Sequence, residues 1–122
     1  MSVKVIKAQE VTAYSQEGGN TRILVDDLIG SKNVVILQSE IKPGFKFSEH
    51  TRDNEEILFI LEGEMVVEVT GGESYRLTPG MLIFVPPGVK HRHINPGTVL
   101  ERHLGILAPP GTTAEGIRKR PK

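Results

Sequence analysis

The chain has no cysteine, no net charge and no long apolar run, and each absence removes a class of protein. Without cysteine it can build neither a disulfide framework nor a thiolate metal site. Lysine plus arginine and aspartate plus glutamate number 15 each, so there is no electrostatic basis for holding nucleic acid or a membrane surface. The one basic cluster, "RKRPK" at the end, is short and reads as a solvated tail rather than a binding arm. No stretch approaches the roughly 20 apolar residues of a membrane span. The opening "MSVKVIKAQEV" alternates apolar and polar residues, unlike the unbroken core of a signal peptide. A soluble, cytoplasmic protein with no nucleic-acid or membrane partner is the expectation. Helical periodicity is missing too, since no window before residue 112 sustains it.

What the sequence does have is punctuation. Thirteen glycines and eight prolines interrupt a single-domain length of 122 residues. Between them apolar residues alternate: "TRILVDDLIG" and "NVVILQSEIKPG" read as two strands split at Gly30-Ser31. Glu56 to Leu61 reads as a strand kinked at Gly63. Val66 to Val69 turns through Gly71-Gly72 into Ser74 to Leu77 as a hairpin. "GMLIFVPPGVKHRHINPG" is a strand, a Pro-Pro-Gly corner and a short second strand, and "TVLERHLGILAPPG" is the last strand. Short strands without intervening helices predict an all-β antiparallel sandwich or barrel. The barrel is expected over residues 1–111, with residues 112–122 as a tail of one helical turn or a frayed end.

In such a barrel alternate residues point inward. If His50 does, so does Arg52, and Glu56 opens the next strand. His91 inward carries His93 and Asn95 with it. On the last strand one face is Leu100, Arg102, Leu104 and Ile106, and the other holds Glu101, His103, Gly105 and Leu107. His50, Glu56 and His91 converging would form a two-histidine, one-carboxylate face suited to a divalent transition metal with open positions for substrate or dioxygen. The alternative is an ion-paired surface hairpin of His50, Arg52 and Glu56, with His91 and His93 as ordinary strand residues.

Two motifs give these residues a resemblance. "GFKFSEHTRDNEEILFILEG" places Gly44, His50, Glu56 and Gly63, and "GMLIFVPPGVKHRHIN" places Gly80, Pro86, Gly88, His91 and Asn95. The chain thereby resembles the cupin superfamily, whose first motif runs Gly, five residues, His-x-His, three or four residues, Glu, six residues, Gly. The second motif matches throughout; in the first, Arg52 stands in the second histidine's place. The resemblance implies an antiparallel double-stranded β-helix, or jelly-roll barrel, with motifs over residues 44–63 and 80–95. It also implies a divalent metal (Fe, Mn, Ni, Co or Zn) on His50, Glu56 and His91, with one family ligand lost.

A guanidinium cannot ligate a metal. Either three protein ligands remain, or His93 or His103 supplies the fourth; otherwise these two are the available neutral bases near pH 7. Arg52 has two readings of its own. It holds a substrate carboxylate or enolate, or it pairs with Glu56 and takes the carboxylate from the metal. The functional expectation is a single-domain cupin acting on a small oxygen-rich organic substrate, as a dioxygenase-like or decarboxylase- or isomerase-like enzyme. Its alternative is a metal-free anion-binding module. "NVVILQSEI", apolar on both faces, predicts a homodimer through its sheet.

Overall fold

The computed structural model describes residues 2–122. Among the described residues, nine antiparallel strands form two sheets. β1 (Ala13–Gln16), β2 (Gly19–Val25), β3 (Val35–Ile41), β9 (Glu101–Ala108), β4 (Glu55–Glu62) and β7 (Leu82–Val85) lie in that order in a six-stranded sheet. β6 (Ser74–Leu77), β5 (Met65–Val69) and β8 (His91–Ile94) form a three-stranded one. The fold is the all-β, antiparallel double-stranded β-helix, or jelly roll, that the alternation and the motifs implied.

Period-two burial is the physical cause of this arrangement. β3 and β9 alternate buried and half-buried residues along their whole length. Register then lines up the inward residues of neighbouring strands as rungs. Val35, Leu107, Glu56 and Val85 make one rung, and Leu37, Gly105, Leu58 and Ile83 the next. Thr21, Ser39, His103 and Ile60 follow, and then Ile41 beside Glu101. The rungs are apolar except where they carry Glu56, the Thr21–Ser39–His103 series and Glu101.

The elements differ from the sequence reading mainly at their ends. The sequence reading has no counterpart of β1, which is four residues long and whose one strand neighbour is β2. The run "TRILVDDLIG" breaks after Val25 because the Asp26 side chain accepts from the Leu28 amide and caps a 3-10 turn, Asp27–Ile29. The last strand starts at Glu101 rather than near Thr98. Gly63, at the kink after β4, has a φ of 72°, and a Cβ there would lie 2.6 Å from the Leu100 carbonyl oxygen. Only glycine fits that close approach.

Residues after 111 close one end of the barrel. Helix α1 (Thr113–Arg118) buries Ala114 and Ile117 against Val35, Leu37 and Leu107. Arg118 Nη1 donates to Asp26 Oδ2 at 2.6 Å, Arg120 Nη1 to Gln16 Oε1 at 2.9 Å, and the Ser15 amide to the Pro121 carbonyl at 2.6 Å. Two arginines of the basic cluster are therefore clamps on this helix. No helix among the described residues is long and apolar enough to cross a membrane.

Candidate metal centre

His50 precedes β4 in an extended segment that runs beside β8. Its amide donates to the His91 carbonyl at 2.8 Å, and the His91 amide returns a bond of 3.0 Å to the His50 carbonyl. That backbone pair sets the two imidazoles side by side, with ring centroids 4.5 Å apart. His93, two residues on, faces the same way, 5.4 Å from His50 and 5.3 Å from His91. Glu56, near the start of β4, reaches across from the other sheet. One ligand atom from each of His50, Glu56, His91 and His93 lies within 4.8 Å of all the others.

The second nitrogens show which atoms face the centre. His91 Nδ1–H donates to the Val89 carbonyl at 2.8 Å, and His50 Nδ1 turns to the Ser48 carbonyl at 3.4 Å. Both rings thus present Nε2 inward, the arrangement that outer hydrogen bonds give metal-ligating histidines. The Nε2 atoms of His50 and His93 are buried with no hydrogen-bond partner. An orphaned buried nitrogen is expensive in a folded protein. His93 Nε2 lies 3.5 Å from Glu56 Oε1, and His50 Nε2 belongs to the same close group, so the donor set of three imidazoles and one carboxylate suits a divalent transition metal.

Electrostatics supports the fit at His50, His93 and Glu56. Burial, with His93 and His91 close by, pushes the His50 imidazole down to about 4, and burial likewise lowers His93. Both are neutral, ligand-ready groups near pH 7. Burial pushes the Glu56 carboxyl up, but the hydrogen bond from His91, together with His93 and Arg52, outweighs it and holds Glu56 well below the usual carboxylate range. His91 loses by burial and gains more from its bonds to Glu56 and the Val89 carbonyl, so its affinity for a proton is raised.

Arg52 occupies an intermediate position. Its Nε lies 3.0 Å from Glu56 Oε2, while His91 Nε2 sits 2.7 Å from Glu56 Oε1. The Arg52 Nε–H nevertheless makes no directed hydrogen bond. The contact is a charge pairing at the rim of the group, and the guanidinium, about 29% exposed as a side chain, extends towards Thr113 Oγ1 at 3.5 Å.

His50, Glu56, His93 and Arg52 border a cavity of about 320 Å³, which His103, Ser39 and Thr21 also line. His103 stands apart from the group, its ring centroid 6.4 Å from that of His93. Its Nδ1 is taken by Glu101, at 2.8 Å and 3.0 Å from the two carboxylate oxygens. Of the two histidines offered as a substitute for the missing ligand, the structure brings His93 into the group and leaves His103 on the facing wall. Glu101, Thr21 and Ser39 were not among the sequence candidates. Glu101 was visible on the His103 face, but nothing in its spacing marked it as more than a strand residue. Asn95 is fully buried and donates to the Ile41 and Val99 carbonyls, so it locks the corner after β8.

A family model described as "Cupin domain" matches residues 37–102, more than half of the chain. No curated protein sequence matches the chain. Among solved structures, the polyketide cyclase RemF from Streptomyces resistomycificus has a TM-score of 0.80 at 23% identity, over 88% of this chain and 80% of that one. Ectoine synthase from P. lautus has a TM-score of 0.78 at 27% identity, over 95% and 83% of the two chains. A predicted oxalate decarboxylase from Thermotoga maritima has a TM-score of 0.74 at 22% identity, over 87% and 99%.

Proposed function

The chain belongs to the Cupin domain family, and from that premise we propose that it is a metal-dependent enzyme acting on a small, oxygen-rich, anionic organic substrate inside the barrel. One observation carries this reading: four ligand atoms from His50, Glu56, His91 and His93 within 4.8 Å of one another, two of them buried nitrogens with no partner. A divalent transition ion held there supplies Lewis-acid polarisation of a substrate oxygen. Arg52, at the rim of the ligand group, holds the substrate carboxylate with its guanidinium fork. His103, on the facing wall, accepts a proton from the substrate.

An anion clamp and a base across one cavity favour isomerase- or decarboxylase-like proton chemistry over a dioxygenase-like reaction. Ectoine synthase, at 27% identity, is by name a synthase, which agrees with an enzymatic role. A cytoplasmic location is part of the proposal, supported by the absence of cysteine.

The test is metal analysis of protein purified without a histidine tag, after growth with Mn, Fe and Zn, followed by turnover of small hydroxy- and oxo-carboxylates. About one ion per chain and activity that chelation removes are expected. Only trace metal in the wild type, with carboxylates still bound, overturns the enzyme and leaves the second reading, a metal-free anion-binding module. That reading has its own observation, the 3.0 Å approach of Arg52 to Glu56.

A homodimer through the outer face of the six-stranded sheet completes the proposal. Register puts Phe84, Ile57, Ile106 and Ile36 in one outward row and Leu82, Phe59 and Leu104 in the next. Leu82 and Phe84 are 59% and 50% exposed. A continuous apolar face of this kind marks an association surface, and a second copy of the chain offers the matching one. Light scattering should give twice the chain mass for the wild type and a monomer for Phe84→Asp; a monomeric wild type overturns this part.

A further inference from the structure

The wall opposite the candidate metal centre carries a second polar series that the proposed function leaves largely unused. Thr21, Ser39 and His103 sit side by side on β2, β3 and β9, in direct cross-strand register and all facing inward. They are 2%, 8% and 5% exposed. The rungs above it are Leu37, Gly105 and Leu58, and then Val35 and Leu107, so apart from Glu56 and the neighbouring Glu101 this row is a polar stripe on an apolar face. Thr21 and Ser39 join hydroxyls at 3.1 Å. That bond uses one donor, so the pair retains a free hydroxyl hydrogen and free lone pairs.

Behind the row lies Glu101, 0% exposed, whose only side-chain partner among the described residues is His103. A buried carboxylate with a single partner is retained against a large desolvation penalty. Its geometric effect is specific. With both oxygens on Nδ1, the ring is fixed with Nδ1–H towards Glu101, and the edge bearing Nε2 is what His103 presents to the cavity it lines. The hydrogen bonds of His103 among the described residues all use Nδ1 and leave Nε2 free. Gly105, the next inward residue on β9, adds no side chain and lines the same cavity, where a Cβ would lie 3.6 Å from Leu58 Cδ2.

We propose that the Thr21–Ser39–His103 row is a second recognition element of the cavity, taking a hydroxyl group at the end of the substrate away from Arg52, with Glu101 as the positioning residue that aims His103 Nε2 at it. The substrate hydroxyl donates to Nε2 and accepts from the Thr21–Ser39 hydroxyl pair. The ligand class is then a short hydroxycarboxylate, anionic at one end and hydroxylated at the other. This inference rests on the anion-holding role of Arg52 for the orientation of the ligand, and on nothing else in the proposed function.

The probes are ω-hydroxycarboxylates from 3-hydroxypropionate to 6-hydroxyhexanoate, each paired with its deoxy acid and titrated by calorimetry into the protein as purified and after addition of Zn²⁺. At the chain length that spans the cavity, the hydroxy acid should bind about tenfold more tightly than its partner. The ratio should fall to about one in Ser39→Ala and His103→Gln, with Ser39→Ala leaving the Glu101–His103 pair intact. Arg52→Met should weaken both members of a pair equally, so its outcome reports on the proposed function separately. A wild-type ratio near one at every length, or no binding by any member, overturns the row as a hydroxyl site. Long-range ¹H–¹⁵N spectra of the imidazoles give a ligand-free check on Glu101. Nδ1 should carry the proton on His103 in the wild type, and Glu101→Gln should shift the population towards Nε2–H. A wild-type His103 protonated on Nε2 alone overturns the positioning role.

Discussion

Replacing His93 with Gln tests the substitution at the heart of this site. The side chain stays polar and of similar bulk, but an amide is a poor metal ligand, and the buried Nε2 with no partner disappears. If the ion binds the folded chain alone, it stabilises by RT ln(1 + [M]/Kd), which is about 2.7 kcal/mol at a hundredfold excess over Kd. For a domain of this size that corresponds to a rise in Tm of roughly 8–14 °C. A hundredfold loss of affinity on removing one of four donors would leave about 0.4 kcal/mol at the same metal concentration, a shift of about 1–2 °C. The expected result is therefore a Tm in chelator within a few degrees of wild type, and a metal-dependent rise that has collapsed. Thermal unfolding with chelator and with excess Mn²⁺ or Zn²⁺, paired with metal content by mass spectrometry, measures both. A His93→Gln protein that keeps the full shift and one ion per chain refutes the reasoning. His93 would then be a bystander, and the centre would rest on His50, Glu56 and His91 alone.

Three further outcomes follow from other parts of the molecule. Ile117→Ala should lower unfolding stability by about 2–3 kcal/mol in urea titrations, because Ile117 is 3% exposed against Val35, Leu37 and Leu107; a loss under about 0.5 kcal/mol would show that the terminal helix does not hold the barrel end. Glu40 is raised by burial, but bonds from Asn20 and Arg102 lower its folded carboxyl below the ordinary 4.5. Its contribution of about 0.5–1 kcal/mol is thus present above that pH and lost as pH falls through the lowered folded value. Glu40→Gln should be less stable than wild type at pH 7 and match it in strong acid, and a gap that widens on acidification contradicts the sign. At Gly105 a Cβ would make ordinary contacts, 3.6 Å from Leu58 Cδ2. Gly105→Ala should therefore stabilise by about 0.5–1 kcal/mol while weakening carboxylate binding; unchanged affinity would show that the space beside Gly105 is not where the ligand lies.

Much of the site was legible before any coordinates. Motif spacing marked His50, Glu56 and His91, and alternation placed His93 and His103 on inward faces. Glu101 shares its face with His103 at a two-residue interval, yet an inward glutamate on a short strand reads the same whether it ends in solvent or beneath a histidine. Thr21 and Ser39 carried no signal at all, since their relation to His103 comes from the pairing of β3 with β9, which lies far along the chain from both β2 and β3. The helix over Thr113–Arg118 was equally faint, because six residues are too few for periodicity and its stability comes from the barrel end it covers.

The residues alone determined which side chains face inward, where the chain turns, and that an arginine interrupts the first motif. These are local properties, dictated by the two-residue period of a strand and by the backbone freedom of glycine and proline. Which histidine joins His50, Glu56 and His91 in one group was decided only by the fold. His93 shares a face with His91 on β8, and backbone bonds lay the His50 segment alongside that strand, whereas His103 belongs to the opposite sheet and is claimed by Glu101. Alternation names a face but cannot say which sheet looks back at it, because that depends on contacts between strands dozens of residues apart.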